Sequence, residues 1–416
     1  MAELKYWIWL NELGLNPFQA KQLLDHFGSP QNIYFTDTSD IKQLQGLSRN
    51  DMMALSNKSL DRVYRIEDDM LAIKGRIITQ QDAEYPARLR NIPDPPVVLY
   101  VRGRLPAVDD EAVVAMAGTR NDTPYGQFAT AKIAAEIIRH GGVVASGLAR
   151  GIDTAAAKGA LHEGGPVIGV LGCGVERVYP TENAPLFEDV LQNGALISEY
   201  PPGTEPKGIH FPRRNRIITG LSIALVVAEI PTSKSGAMIS VNHAIEQGRE
   251  VFAIPANIDA RTSAGTNALI ADEGIRAVLS GFGVLRDYIG QYPRIKTPED
   301  LAEAEQAKKT IHRPSFQPIR PVKTGPPTPR KPVDTSPPVI SVDITAKSQG
   351  RTAEEQAILA HLSNEPLHVD ELIQKTGFPA PKVSVALITL GIDDYVKEHP
   401  GKRYSFGDKI YDQRSK

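Results

Sequence analysis

Between residues 111 and 288, short apolar runs alternate with helical patterns, and that alternation excludes most folds. The runs at 113–117, 143–146, 167–171, 195–198, 223–228 and 251–254 are nearly continuous in Val, Ala, Ile and Leu. A strand that is apolar at every position is buried on both faces, as in a parallel sheet covered by crossover helices. The intervening segments 126–140, 153–163, 184–192, 213–220 and 237–247 carry helical spacing. In the first of them, Phe128, Ala131, Ala134, Ala135 and Ile138 share the face expected to be buried. Gly141-Gly142 and Gly164-Gly165 end the first two helices. The prediction is an α/β fold with an extended, Rossmann-like parallel sheet. Right-handed crossovers then gather the loops that follow the strands onto one rim.

One loop on that rim carries the first chemical signal. Val143-Val144-Ala145-Ser146-Gly147-Leu148-Ala149-Arg150-Gly151-Ile152-Asp153 reads as a strand, a glycine-bracketed turn with an arginine, and an aspartate placed to cap the next helix. Backbone N–H groups at a helix N-terminus, with a cation beside them, hold anions. Phe211-Pro212-Arg213-Arg214-Asn215-Arg216 repeats the arrangement with more positive charge. Arg120, after Gly118-Thr119, projects over the same rim, as does Arg150. Arginines at the start of a helix oppose its dipole unless an anion compensates. Either each arginine pairs with Glu199, Asp153 or Glu229, or the set meets a polyanion; convergence on one rim favours the polyanion. Phe211 either stacks on an unpaired base or anchors the core. Backbone-tracking cations beside an aromatic face describe single-stranded nucleic acid binding.

The flanks differ in character. Residues 1–72 predict a helical domain of the SAM or helix-hairpin-helix kind, with Trp7, Leu10, Leu13, Phe18, Leu23, Leu24 and Phe27 at helical spacing. Its segment Gly46-Leu47-Ser48 lies between two short helical patterns and either offers N–H groups to a phosphate or joins a packing module. The main domain spans 73–290, with its core at 111–288. Its lead-in places Tyr85-Pro86, Pro93 and Pro95-Pro96 around Val97-Val98-Leu99-Tyr100-Val101, a connector with one edge strand, since proline cannot donate to a central ladder. Residues 291–350 mix Pro with Lys, Arg, Thr and Ser and predict a semi-extended tether. Residues 351–410 predict three helices and a small β-wing, the shape of a winged helix-turn-helix. Its recognition helix carries Lys382 and no arginine, which is sparse for a major-groove reader. It serves either protein docking or weak DNA contact through Lys397, Lys402 and Arg403.

Composition bounds the partners. The formal net charge of the 416 residues is −2, so nucleic acid would be met by a local basic surface and not by a general polycation. The single cysteine, Cys173, excludes an intramolecular disulfide and a cysteine-based zinc site. No apolar run approaches the ~18 residues of a membrane span, so the expected location is the cytoplasm, without membrane insertion. Enzyme motifs fail one by one. Gly172-Cys173-Gly174-Val175-Glu176-Arg177 has Arg in place of the third glycine of a dinucleotide fingerprint. Thr232-Ser233-Lys234-Ser235-Gly236 lacks the preceding glycine of a phosphate loop. The histidines are not spaced for a metal, and a Cys173 nucleophile has no evident base. No cofactor is expected, and what remains is anion binding without an evident reaction.

Several longer motifs are recognisable. Ser146-Gly147-Leu148-Ala149-Arg150-Gly151-Ile152-Asp153, Tyr179-Pro180 with Asn183, Ser198-Glu199-Tyr200-Pro201-Pro202-Gly203-Thr204 and Phe211-Pro212 with Arg214-Asn215-Arg216 closely resemble the DprA/Smf family of DNA-processing proteins. Ser235-Gly236 and Gly248-Arg249 with Val251-Phe252-Ala253-Ile254-Pro255 continue the match. The resemblance implies a homodimer formed through the Rossmann-like domain. It also implies single-stranded DNA binding without hydrolysis, loading of the RecA recombinase during natural transformation, and displacement of single-strand-binding protein. It carries the DNA-binding role onto Gly118, Arg120, Arg150, Gly151, Phe211, Arg214 and Arg216; Thr119, Gly147, Lys207, Arg213, Asn215, Ser235 and Gly236 complete the expected strand-binding set. Three departures stand out: Ala157 where the family often has His, Pro255-Ala256-Asn257 where it has Pro-Gly, and Gly208 where it has Lys, with Lys207 one place earlier. A nucleotide or nucleoside-phosphate enzyme on a similar fold is the alternative, but Pro255-Ala256-Asn257 does not supply its glycine-rich loop. On the DNA-binding reading, Arg120→Ala and Arg214→Ala each weaken strand binding and leave the protein folded.

Overall fold

The structure is a computed structural model that describes residues 2–311 except 233, and 351–407 except 364, 394, 400 and 401. The chain divides into two compact units, Met1–Phe316 and Gln317–Lys416. Most of the expected tether, residues 312–350, lies outside the described residues. Ordered packing runs past 290, however. Tyr292 and Ile295 join the main core, and Pro298–Ile311 is helical.

The first unit is built on a nine-stranded sheet: β1 (Arg76–Thr79), β2 (Val98–Gly103), β3 (Val113–Gly118), β4 (Val143–Ser146), β5 (Val167–Leu171), β6 (Ala195–Ser198), β7 (Ala224–Ala228), β8 (Glu250–Ala253) and β9 (Arg276–Ala277). Their order is β1-β2-β6-β5-β4-β3-β7-β8-β9. From β6 to β9 every neighbouring pair is parallel. At the other end β2 runs antiparallel to β6, and β1 antiparallel to β2. The expected edge strand is therefore interior, with β1 outside it. Pro93, Pro95 and Pro96 precede β2 and so remove no donor from its ladder.

Alternating side chains feed two cores. Val114, Met116, Val144 and Val226 face the helices Pro124–Arg139, Ile152–His162 and Ala184–Asn193. Ala115, Val170, Ile197, Leu225 and Val227 face His210–Gly220 and Gly236–Glu246. In Pro124–Arg139 the buried residues are Gly126, Thr130, Ile133, Ala134, Ala135 and Ile137, so Ala134 and Ala135 lie inside as expected, whereas Ala131 and Ile138 are only half-buried and Phe128 is 69% exposed. The expected face was rotated by about one position. The N-terminal helices share a third core with Val98 and Tyr100 of β2, so they are docked on the sheet and belong to the same unit. Phe18, expected inside, lies exposed there.

The turn between β4 and its helix is the most constrained stretch of backbone. Leu148 has a φ of 53°, unfavourable for a branched residue by roughly 1–2 kcal/mol, and its fully buried side chain returns a comparable amount. Gly151 has a φ of 77°, and a Cβ there would sit 2.3 Å from the Thr119 carbonyl oxygen. Asp153 does not cap this helix. It lies within the first turn, where its carboxylate accepts from the Ala149 N–H at 3.4 Å.

The second unit contains the helices Ala353–His361, Val369–Thr376 and Ala380–Ile392. β10 (Leu367–His368), β11 (Val396–His399) and β12 (Arg403–Phe406) form a small antiparallel sheet in the order β10-β12-β11. This is a winged helix, with a short strand at 367–368 that the sequence pattern does not announce.

Gly151→Ala should cost about 2–3 kcal/mol in urea unfolding, because it meets both left-handed backbone and the Thr119 carbonyl. Gly164→Ala, also at positive φ (69°) but facing open space, should cost about 1 kcal/mol. Equal losses would contradict the close approach.

Candidate nucleic-acid interface

Strand order reverses beside β3. The chain leaves β3 for a helix on one face of the sheet and leaves β7, its neighbour, for a helix on the other. A crevice opens at the C-terminal ends of adjacent strands whose connections diverge in this way. Here it holds a groove of about 540 Å³, lined by the β3 loop (Gly118, Thr119, Arg120), Phe211, Arg214 and Asn215 of one helix, and Ser235 and Gly236 at the start of another. Ser235 caps that second helix by accepting from the Ala237 N–H at 3.2 Å. Two 11-residue helices therefore begin at the groove, so their positive dipole ends face it.

The arginines separate by environment. Arg120 is exposed and lies over the Phe211 ring, 5.4 Å from its centroid. It is the groove's accessible cation. Arg214 is only 3% exposed. Its Nη1 donates to the Gly147 carbonyl at 2.9 Å and to the Val170 carbonyl, closing the ends of β4 and β5. Burial pushes this guanidinium below the usual arginine range, and the Asp153 carboxylate pulls it back. Burial likewise raises the Asp153 carboxyl, against the pull of Arg214 and Arg120. Gly147 is needed for this packing, since a Cβ would stand 2.4 Å from Arg214 Nη2. The expectation that Arg214 can be removed from a folded protein is therefore not met by its surroundings.

Arg216 leaves the groove altogether. It is 1% exposed and forms ion pairs with Glu199 at 2.7 Å and Asp94 at 2.9 Å. Arg213 reaches Glu199 at 3.6 Å and, with exposed Lys207, lines a separate cleft beneath the N-terminal helices. Arg150 is 63% exposed and paired with Glu182 beyond the groove wall. Of the expected contacts, Gly118, Thr119, Arg120, Phe211, Arg214, Asn215, Ser235 and Gly236 are brought together. Gly147 and Gly151 shape the backbone behind them, while Lys207, Arg150, Arg213 and Arg216 lie elsewhere. Glu229 pairs with no arginine among the described ion pairs; it accepts from the Thr123 N–H at 2.8 Å and the Thr262 hydroxyl at 3.0 Å.

Sequence reasoning missed Tyr179 as a site residue. Its ring meets Phe211 at 5.3 Å between centroids and 31° between planes, and it lines the groove. Only its place in a recognisable motif marked it. Cys173 is buried, and burial pushes its thiol up to about 11, which removes it as a nucleophile at neutral pH. Among the described residues, no cluster of acidic, His or Cys side chains could hold a metal, and no helix is long and apolar enough to cross a membrane.

Comparison with known proteins follows the same lines. Residues 76–287 match the family model for DNA recombination-mediator protein A, and residues 344–402 match the winged-helix domain of DprA. The chain belongs to the DNA recombination-mediator protein A family. Protein Smf of Synechocystis sp. is 31% identical, over 97% of this chain and 98% of its own. DNA processing protein DprA of Bacillus subtilis is 38% identical, over 49% of this chain and 68% of its own. The X-ray structure of DprA from Streptococcus pneumoniae superposes with a TM-score of 0.58 at 33% identity, covering 70% of this chain and 99% of that one.

Arg216→Ala should destabilise the protein by about 3–5 kcal/mol, because it leaves buried Glu199 with only the 3.6 Å contact to Arg213 and deprives Asp94 of its partner. Arg120→Ala should change stability by less than about 0.5 kcal/mol. Thermal and urea unfolding of both variants check the division; a large loss in Arg120→Ala would contradict it.

Proposed function

We propose that this protein binds single-stranded DNA in the β3–β7 groove and acts as a recombination mediator during natural transformation. The observation that carries this reading is the grouping of Arg120, the Phe211–Tyr179 ring pair and two helix N-termini in one open groove. Cation and helix dipoles suit phosphates, and the rings suit unpaired bases. A duplex hides its base faces and would leave the rings unused. Membership of the mediator family supports the same role, including protection of incoming strands, assistance to RecA in replacing single-strand-binding protein, and action as a homodimer in the cytoplasm.

The protein is then a binder and not an enzyme. On a nucleotide enzyme of similar fold the loop after β8 would cradle phosphate. Here that loop is occupied by Asn267, whose Oδ1 accepts from the Ala256 N–H at 3.2 Å while its Nδ2 donates to the Ala256 carbonyl at 3.1 Å. In the winged helix, Lys382 is paired with Glu354 at 2.9 Å, and Val385 and Ile388 are 65% and 63% exposed. Such a recognition helix is poorly suited to phosphates.

Fluorescence anisotropy with labelled oligo-dT and an equal-length duplex, across a salt series, tests the reading. The single strand should be preferred, and Arg120→Ala should lower the salt slope by about 0.7, the value for one phosphate contact on a single strand. Equal affinity for duplex, or an unchanged slope in Arg120→Ala, would overturn it.

A further inference from the structure

We propose that Tyr179 is the residue on which an unpaired base stacks, with Phe211 as its backing and not the primary platform. This rests on the groove being the strand-binding site. The two rings are in contact, but their surroundings differ. Phe211 is half-buried: Arg120 and Arg214 lie over its ring at 5.4 and 6.0 Å, and the backbone of Gly172 is so near that a Cβ there would stand 3.1 Å from the ring. Tyr179 packs against what remains and is itself 41% exposed. The more open aromatic surface in the groove wall is therefore the tyrosine.

Its position also fixes where the strand goes next. Glu182, three residues on, holds the exposed Arg150. An exposed ion pair is weak, so a phosphate can take Glu182's place on Arg150. A strand whose backbone meets Arg120 and whose base covers Tyr179 is led from the groove toward that second cation. This gives Arg150 a role that its place outside the groove otherwise leaves unexplained.

The test uses the full chain and an oligo-dT carrying a single 2-aminopurine, whose fluorescence is quenched by stacking. Tyr179→Leu should weaken binding by roughly 10-fold, abolish the protein-dependent quenching and leave the salt slope unchanged, since a stacking residue neutralises no phosphate. Tyr179→Phe should retain affinity and quenching. Should Tyr179→Leu unfold, photo-crosslinking of the wild type with 5-iodouracil-substituted strands should label Tyr179. Wild type that binds no strand overturns the groove reading and this proposal together. Wild type that binds while Tyr179→Leu binds equally, Tyr179→Phe behaving like Tyr179→Leu, or crosslinks that avoid Tyr179 would each overturn this proposal alone.

Discussion

Two guanidinium groups buried beneath the start of one helix hold the groove in place. Arg216 is clamped between Glu199 and Asp94, and Arg214 lies across the carbonyl ends of β4 and β5. A buried cation is tolerated only where it is paired, so these contacts fix where His210–Gly220 meets the sheet. Phe211 then stands over the crevice with Arg120 above it. Charge in the Phe-Pro-Arg-Arg-Asn-Arg segment thus serves mainly structure. Most of it docks the helix, and the cation that a phosphate can reach comes from a different loop.

The consequence is that loss of strand binding on mutating this segment has two meanings. A variant at Arg214 or Arg216 disturbs the wall itself, whereas one at Arg120 or Tyr179 alters only what the wall presents. Arg213 and Lys207 face another cleft, beside the N-terminal helices that are packed onto β2. Those helices add to the core as well as to the surface, since Val98 and Tyr100 sit between them and the rest of the sheet.

The sheet was legible because parallel strands buried on both faces leave continuous apolar runs, and 143–146, 167–171 and 195–198 are read to the residue. Strands β1 and β2 were harder. Arg76–Thr79 is short and half polar, and the prolines before Val98 mimic an edge. The rim loops were found from their glycines and arginines, but burial was not. Nothing local in Arg213-Arg214-Asn215-Arg216 tells which cation turns inward, because the partners Glu199, Asp94 and Val170 are distant in sequence. Tyr179 was overlooked for the same reason: its value depends on a ring 32 residues away.

Hydrogen–deuterium exchange of the full chain with and without oligo-dT tests the placement of the interface most directly. Protection should concentrate at residues 118–121, at the start of His210–Gly220 and at the start of Gly236–Glu246, the backbone that lines the groove. Protection confined to the recognition helix Ala380–Ile392 or to the N-terminal helices, with the groove unchanged, would contradict the account.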